Sequence, residues 1–289
     1  MLNDAEDPDH QSKDTRKSPR TVWVSGSEGT LGRHVASMLR HAGCEVIEAD
    51  NRGPTAVDLT DPSAVAHSMQ GADAIVHCAA IPSPQDVDPA VLMRNNTMAC
   101  FNALEQAWSA GVRTAVLASS GSIYGTAWSP QPVAFPEVPV TEETLLAYTD
   151  PYALSKDVAE RMGQMYARRG MVVTSLRFHW ILSAEEARAE ARSDNDGDLS
   201  SIANLWGYVD LEEAAEACQL ALTPTAEHTG CETVLIASHE TLSSTPTEEL
   251  LARHCPETLR RGTFAGHQSA FDTSRASTVL GWRSTRSWR

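Results

Sequence analysis

The sequence has no apolar run that reaches the about 18–20 residues a membrane-spanning helix needs. Its first residues lack a hydrophobic signal core, so the cytoplasm is the expected location. Positive charge is scarce. The 23 Lys and Arg stand against 38 Asp and Glu, a formal net charge of −15. That balance argues against general binding to nucleic acid or to an anionic membrane. It leaves anionic ligands open, because a local site can oppose the global field. The six cysteines (Cys44, Cys78, Cys100, Cys218, Cys231, Cys255) form no CxxC pair and fit no zinc-site spacing. Several lie in apolar runs, where a thiol behaves as a small hydrophobe. Reduced, structural cysteines and no metal site are expected. No internal repeat is present.

What is there reads as an ordinary globular chain. Its 289 residues are 42% apolar and 21% charged. That length suits one large α/β domain, or a nucleotide-binding domain with a small lobe. Residues 1–20 are polar and aperiodic, and a disordered tail is expected. Short apolar runs then alternate with longer amphipathic ones. Strands are expected at 21–26, 44–50, 72–80, 112–121 and 171–178. Helices are expected at 31–43, 61–71, 89–111 and 151–170, with Asp61 as a cap and Pro151 in a first turn. The alternation predicts a doubly wound parallel sheet of the Rossmann type over 21–180. Beyond it, 184–201 reads as a helix end and exposed loop, 208–222 as a helix, 232–238 as a strand and 247–255 as a short helix. Residues 181–289 are expected to form a small, partly interleaved substrate lobe.

The first strand runs into "GSEGTLG", with Gly26, Gly29 and Gly32 spaced three apart before a helix. A pyrophosphate needs close backbone approach and a helix N-terminus, and glycines permit both. Gly26, Gly29, Thr30, Leu31 and Gly32 are therefore candidate cofactor contacts. The second strand ends in Asp50, placed to bond adenosine ribose hydroxyls and to repel a 2′-phosphate. Glu28 leans the same way, so NAD is expected. Arg33 and Arg52 leave NADP possible. Asp58 and Leu59 could hold the adenine edge, or Asp58 could be a loop acid.

"DPYALSKDVAE" places Tyr152 and Lys156 one helical turn apart on one face. The pair is either a packed helix face or a proton-transfer centre. A nearby ammonium favours the phenolate and so tunes a tyrosine toward acid–base work. The fourth strand ends in "ASSGSIYG", which brings Ser119, Ser120 and Ser122 to the sheet's ligand-binding edge.

Taken in order, "GSEGTLG", "HCAA", "NNTMACFNAL", "SSGSIYG", "YALSK", "LRF", "YVDLEEAAEA" and "FDTSRASTVLGW" resemble the extended short-chain dehydrogenase/reductase superfamily. Within it, they resemble the NAD-dependent epimerase/dehydratase family, over about residues 21–283. The resemblance implies Tyr152 as general acid/base, Lys156 as its activator and Ser120 as the catalytic hydroxyl. It implies a proton-relay role for Asn96, cofactor contacts at Ala79 and Ala80, and a structural role for Asp210. Ser122 and His179 are candidate substrate contacts. Dehydratases of this family carry Asp-Glu where this chain has Gly121 and Ser122, so dehydration is not expected. The chain reads "LRFHWILS" where members commonly have "LRP" and a tyrosine-glycine-proline turn. The resemblance thus implies an NAD-dependent oxidoreductase or epimerase exchanging hydride with a sugar-like hydroxyl or ketone. The expected partner is a small molecule, a sugar or a sugar nucleotide. A nucleotide-sugar 4-epimerase with tightly bound NAD is the alternative, and a non-catalytic redox-sensing regulator is another. A homodimer through helices 89–110 and 151–169 is implied as well.

Overall fold

The computed structural model describes residues 18–53, 56–129, 134–193, 196–228 and 230–289. Residues 1–17 of the expected disordered tail lie outside these.

The chain opens with β1 (Thr21–Ser25), α1 (Thr30–His41), β2 (Glu45–Ala49), α2 (Pro62–Ser68), β3 (Ala74–His77), α3 (Pro89–Ser109) and β4 (Thr114–Ser120). A 3-10 turn (Gly121–Tyr124) leads to β5 (Glu137–Val138), α4 (Pro151–Arg168), β6 (Val172–Phe178) and β7 (Ile181–Leu182). The last third holds α5 (Ala184–Arg192), α6 (Leu199–Ala203), β8 (Val209–Asp210), α7 (Leu211–Ala221), β9 (Cys231–Ile236), α8 (Thr247–His254), β10 (Leu259–Arg260) and α9 (Ser274–Leu280).

Local sequence explains how most helices start. α2, α3 and α4 each open on Asp-Pro: Asp61-Pro62, Asp88-Pro89 and Asp150-Pro151. The aspartate side chain accepts first-turn N–H groups, and the proline supplies a preset φ where no donor is needed. α5 opens on a Ser183/Glu186 capping box, and Asp210 caps α7. α1 differs: Gly29 stands at its N-cap and no side chain bonds its first N–H groups.

Six strands form one parallel sheet in the order β2-β1-β3-β4-β6-β9. β2 and β3 flank β1 on opposite sides, so the winding reverses at β1. One face is covered by α1, α7 and α9, with Val35, Leu39, Ala214, Cys218, Val279 and Trp282 in that core. The other is covered by α2, α3 and α4, with Val65, Ala103, Leu104 and Tyr166. Residues beyond 180 thus supply strand β9 and helices α7 and α9 to the nucleotide-binding unit. A third core gathers round Tyr124, Phe135, Leu205, Trp206, Leu250 and Phe271, drawing on residues from both sides of position 180. A smaller cluster holds Leu182, Ala187, Tyr208 and Leu242. Stretch 184–201 is more helical than its charge suggested, and α9, where no element was expected, packs by Ala276, Val279 and Leu280. All six cysteines are free thiols. Among the described residues no helix is long and apolar enough to cross a membrane.

Candidate active site

The glycine turn lies at the winding reversal, where open α/β sheets bind ligands. Gly26 has φ +70, and a Cβ there would fall 2.7 Å from the Ala79 nitrogen. A Cβ on Gly32 would fall 2.1 Å from the Gly26 carbonyl oxygen. The turn therefore folds onto both the start of α1 and the loop after β3, and only glycine fits. Thr30 and Leu31 open α1, whose uncapped N–H groups can meet an anion. Asp50, 7% exposed, accepts from the Glu28 N–H at 3.1 Å and from the Arg52 side chain at 3.2 Å. Its carboxylate is thereby fixed beside the turn. These features fit a dinucleotide: a cradle that a Cβ would fill, an uncapped helix end and a held carboxylate.

Asp58 sits less close to that chemistry. It is exposed, and its carboxylate accepts from the Thr60 hydroxyl and N–H at 2.7 and 2.8 Å. Those bonds hold it below the usual carboxylate range. Leu59 is buried, and its carbonyl accepts from Asn102 at 2.9 Å. Asn102, whose partner no local spacing reveals, ties that loop to α3.

Across the sheet edge, Lys156 is 7% exposed and its Nζ donates to the Ala118 carbonyl at 2.7 Å. The ammonium lies 5.6 Å from the centre of the Tyr152 ring. The Tyr152 hydroxyl has no hydrogen-bond partner among the described residues. Ser120 follows Ala118 by two positions and ends β4, where its Oγ accepts from the Ser122 N–H at 3.1 Å. Lys156 thus joins the tyrosine-bearing helix to the serine-bearing strand. It is also the one lysine beyond residue 17. Tyr124 is no rival to Tyr152. Its hydroxyl donates to the Thr141 carbonyl at 3.0 Å, and burial pushes its pKa up to about 12.

Asn96 is buried, and its amide is fully engaged. It accepts from the Ile81 N–H at 2.8 Å and donates to the Ile81 carbonyl and to Ser155 Oγ, both at 3.1 Å. It binds the loop after Ala79 and Ala80 to α4, next to Lys156.

Two further side chains at this edge carry buried polar atoms without partners: Ser122 Oγ and His179 Nε2. The His179 ring lies against Gly121 and 3.9 Å, centre to centre, from Phe271. Burial alone pushes its imidazole down to about 3, so it is neutral. Asp210 serves as the α7 cap, donating nothing to this edge: it accepts from the Glu212 and Glu213 N–H groups at 3.0 and 3.3 Å.

Beneath the serines lies a buried network that no local motif announces. Arg177 donates to both Glu160 oxygens, at 2.9 and 2.8 Å, and to the Tyr124 hydroxyl at 3.2 Å. Ser119 Oγ donates to Glu160 at 2.6 Å. Arg177 and Tyr124 stand in motifs already singled out, but only the fold brings their partners to them.

Residues 22–228 match the NAD dependent epimerase/dehydratase family. The L-arabinose 1-dehydrogenase (NAD(P)(+)) of Haloferax volcanii is 27% identical over 196 residues, covering 64% of this chain and 76% of that protein. The UDP-glucose 4-epimerase 1 of Oryza sativa subsp. japonica is 28% identical over 169 residues, which span 50% of this chain and 46% of the epimerase. Among solved structures, a short-chain dehydrogenase/reductase superfamily protein from Agrobacterium tumefaciens with bound NAD superposes with a TM-score of 0.69, at 22% identity and 93% coverage of both chains. That likeness shows the fold. The family match spans well over half of the chain, and it carries the sequence landmarks from the glycine turn to the lysine helix. The chain belongs to the NAD-dependent epimerase/dehydratase family.

Proposed function

We propose that this protein is an NAD-dependent oxidoreductase that oxidises a sugar-like carbinol, or reduces the matching carbonyl. One observation carries the reading: Lys156, reaching Ala118 from beneath Tyr152, unites the tyrosine with the strand that ends in Ser120. Bound NAD would supply the two-electron acceptor. Gly26, Gly29, Thr30, Leu31 and Gly32 would hold its pyrophosphate, Asp50 its adenosine ribose, and Ala79 and Ala80 its inner face. Ser120 Oγ would hold the substrate hydroxyl, and Tyr152 Oη would take that hydroxyl's proton. Lys156 would stabilise the phenolate form. Asn96, expected on a proton path, is better placed to brace it, since Ile81 and Ser155 use its amide. His179 and Ser122 would face the substrate.

A homodimer fits the same reading. Val91 and Met98 on α3 and Leu154 and Met165 on α4 are exposed apolar side chains at helical spacings. Free thiols and a nicotinamide cofactor suit the cytoplasm.

The test is a panel of free sugars and sugar nucleotides with NAD and NADP, read as NADH or NADPH absorbance. Tyr152→Phe is expected to lower turnover by about 100-fold or more while NAD still binds. Full turnover in that variant would refute the assignment.

A further inference from the structure

Four charged side chains gather where the glycine turn meets the loop after β2. Two are carboxylates, Glu28 and Asp50, and two are guanidiniums, Arg33 and Arg52. Arg52 donates to Asp50 Oδ1 twice, through its backbone N–H at 3.1 Å and its Nε at 3.2 Å. Arg33, on α1, donates through one terminal nitrogen to the Glu28 carbonyl at 2.9 Å and to the Glu28 carboxylate at 3.4 Å.

Glu28 spans the space between the turn and the loop. Its backbone N–H donates to Asp50 at 3.1 Å. Its Oε1 lies 3.6 Å from the point a Cβ on Gly53 would take. One side chain therefore reaches Arg33 on α1 and the bend beyond Asp50 at once.

We propose that Glu28 is a second determinant of cofactor choice beside Asp50. Its carboxylate occupies Arg33 and so withholds a guanidinium from a 2′-phosphate on the adenosine ribose. The inference rests on the dinucleotide reading of the turn and deepens it to the choice between NAD and NADP.

The formal charges of the four side chains cancel. A ribose with a free 2′-hydroxyl adds no charge and finds Asp50 as an acceptor. A 2′-phosphate adds negative charge where each guanidinium already has a carboxylate, so it must displace one of them. The two pairs differ in how readily they part. Asp50 is 7% exposed and is held by Arg52 and by the Glu28 N–H together. The Glu28 and Arg33 side chains are 42% and 65% exposed and touch at one long contact. An exposed pair of that kind contributes little to stability. Neutralising Glu28 thus frees Arg33 at small cost to the fold, and a planar guanidinium suits a phosphate. The bond to Asp50 survives the change, because the Glu28 backbone makes it.

The experiment titrates the full chain with NADH and with NADPH, follows nicotinamide fluorescence and needs no substrate. Glu28→Gln is expected to tighten NADPH binding by about ten-fold and to raise the NADPH-to-NADH affinity ratio by about the same factor. The double variant Glu28→Gln/Arg33→Gln removes the guanidinium as well, and its ratio should return to within about three-fold of the wild type. Raising salt from about 0.05 to about 0.5 M should weaken NADPH binding more in Glu28→Gln than in the double variant. An unchanged ratio in Glu28→Gln would overturn the proposal. So would a gain that survives in the double variant, since the carboxylate would then act by repulsion alone. If NADH binds the wild type and the ratio does not move, only the proposal falls. If the wild type binds neither nucleotide, the dinucleotide reading falls and the proposal with it.

Discussion

His77 offers a quantitative test of how the cofactor edge is built. It ends β3, is buried, and pairs with Ser25 Oγ through Nδ1 at 2.7 Å. Burial first, and the nearby Lys156 charge second, push its pKa from 6.5 down to about 3. The folded protein therefore holds His77 neutral where an unfolded chain would protonate it. Protons bind the unfolded state more tightly, so stability must fall as the pH falls. The loss begins near the unfolded value of 6.5 and is complete near 3, where the folded state also takes the proton.

Between about pH 7 and pH 5, the unfolded imidazole gains about 1.4 decades of protonation free energy. At about 1.36 kcal/mol per decade that is about 2 kcal/mol lost from the wild type on account of His77 alone. Other groups titrate over the same range, so the measurement must be a difference. His77→Gln keeps a hydrogen-bonding side chain for Ser25 but cannot titrate. Urea unfolding of both proteins at the two pH values gives the comparison. The wild type should lose about 2 kcal/mol more than the variant on acidification. Parallel losses, within about 0.5 kcal/mol, would show that His77 is hydrated or already charged in the fold and would refute the reasoning.

Three further substitutions probe neighbouring parts. Gly32→Ala places a methyl carbon 2.1 Å from the Gly26 oxygen; it should abolish NAD binding in a fluorescence titration, and normal binding would disprove the tight turn. Asp50→Ala frees Arg52 and removes the carboxylate proposed to hold the ribose, so the NADP-to-NAD preference should rise by about ten-fold or more in paired kcat/KM measurements; an unchanged ratio would move the ribose elsewhere. Arg177→Met leaves Glu160 charged and buried without its guanidinium, a loss of about 3–5 kcal/mol in urea unfolding; a loss under about 1 kcal/mol would mean that the pair is solvated.

Where the chain's instructions are local, they were readable. Asp-Pro at three helix starts, a glycine every third residue after the first strand, and a tyrosine and lysine one turn apart each act within a few residues. The features that escaped depend on contacts between distant segments. Ser119 and Ser120 are adjacent and chemically identical in the sequence. Only the packing of α4 against β4 and β6 commits Ser119 to Glu160 and leaves Ser120 at the open edge. Asn96 reads as a polar residue on a long helix. Its bonds to Ile81 and Ser155 require the loop after β3 and helix α4 to be brought to it.

The distance between the serine and the tyrosine is set by a repeat that neither motif shows alone. Tyr152, Lys156 and Glu160 follow one another at four-residue intervals, so they lie along one face of α4. Lys156 takes the carbonyl of Ala118, and Glu160 takes the hydroxyl of the next residue, Ser119. Two successive residues of β4 are thus fastened to two successive turns of the helix, and the strand's next residue is Ser120. Arg177, held by both Glu160 oxygens, fastens the neighbouring strand β6 to the same point. A slip of β4 by one residue would turn Ser119 outward and strand the Glu160 carboxylate in the core, a costly exchange. The Glu160 network thus fixes the register of the serine-bearing strand. Lys156 belongs to that fastening, and in the proposed reaction it serves Tyr152 as well.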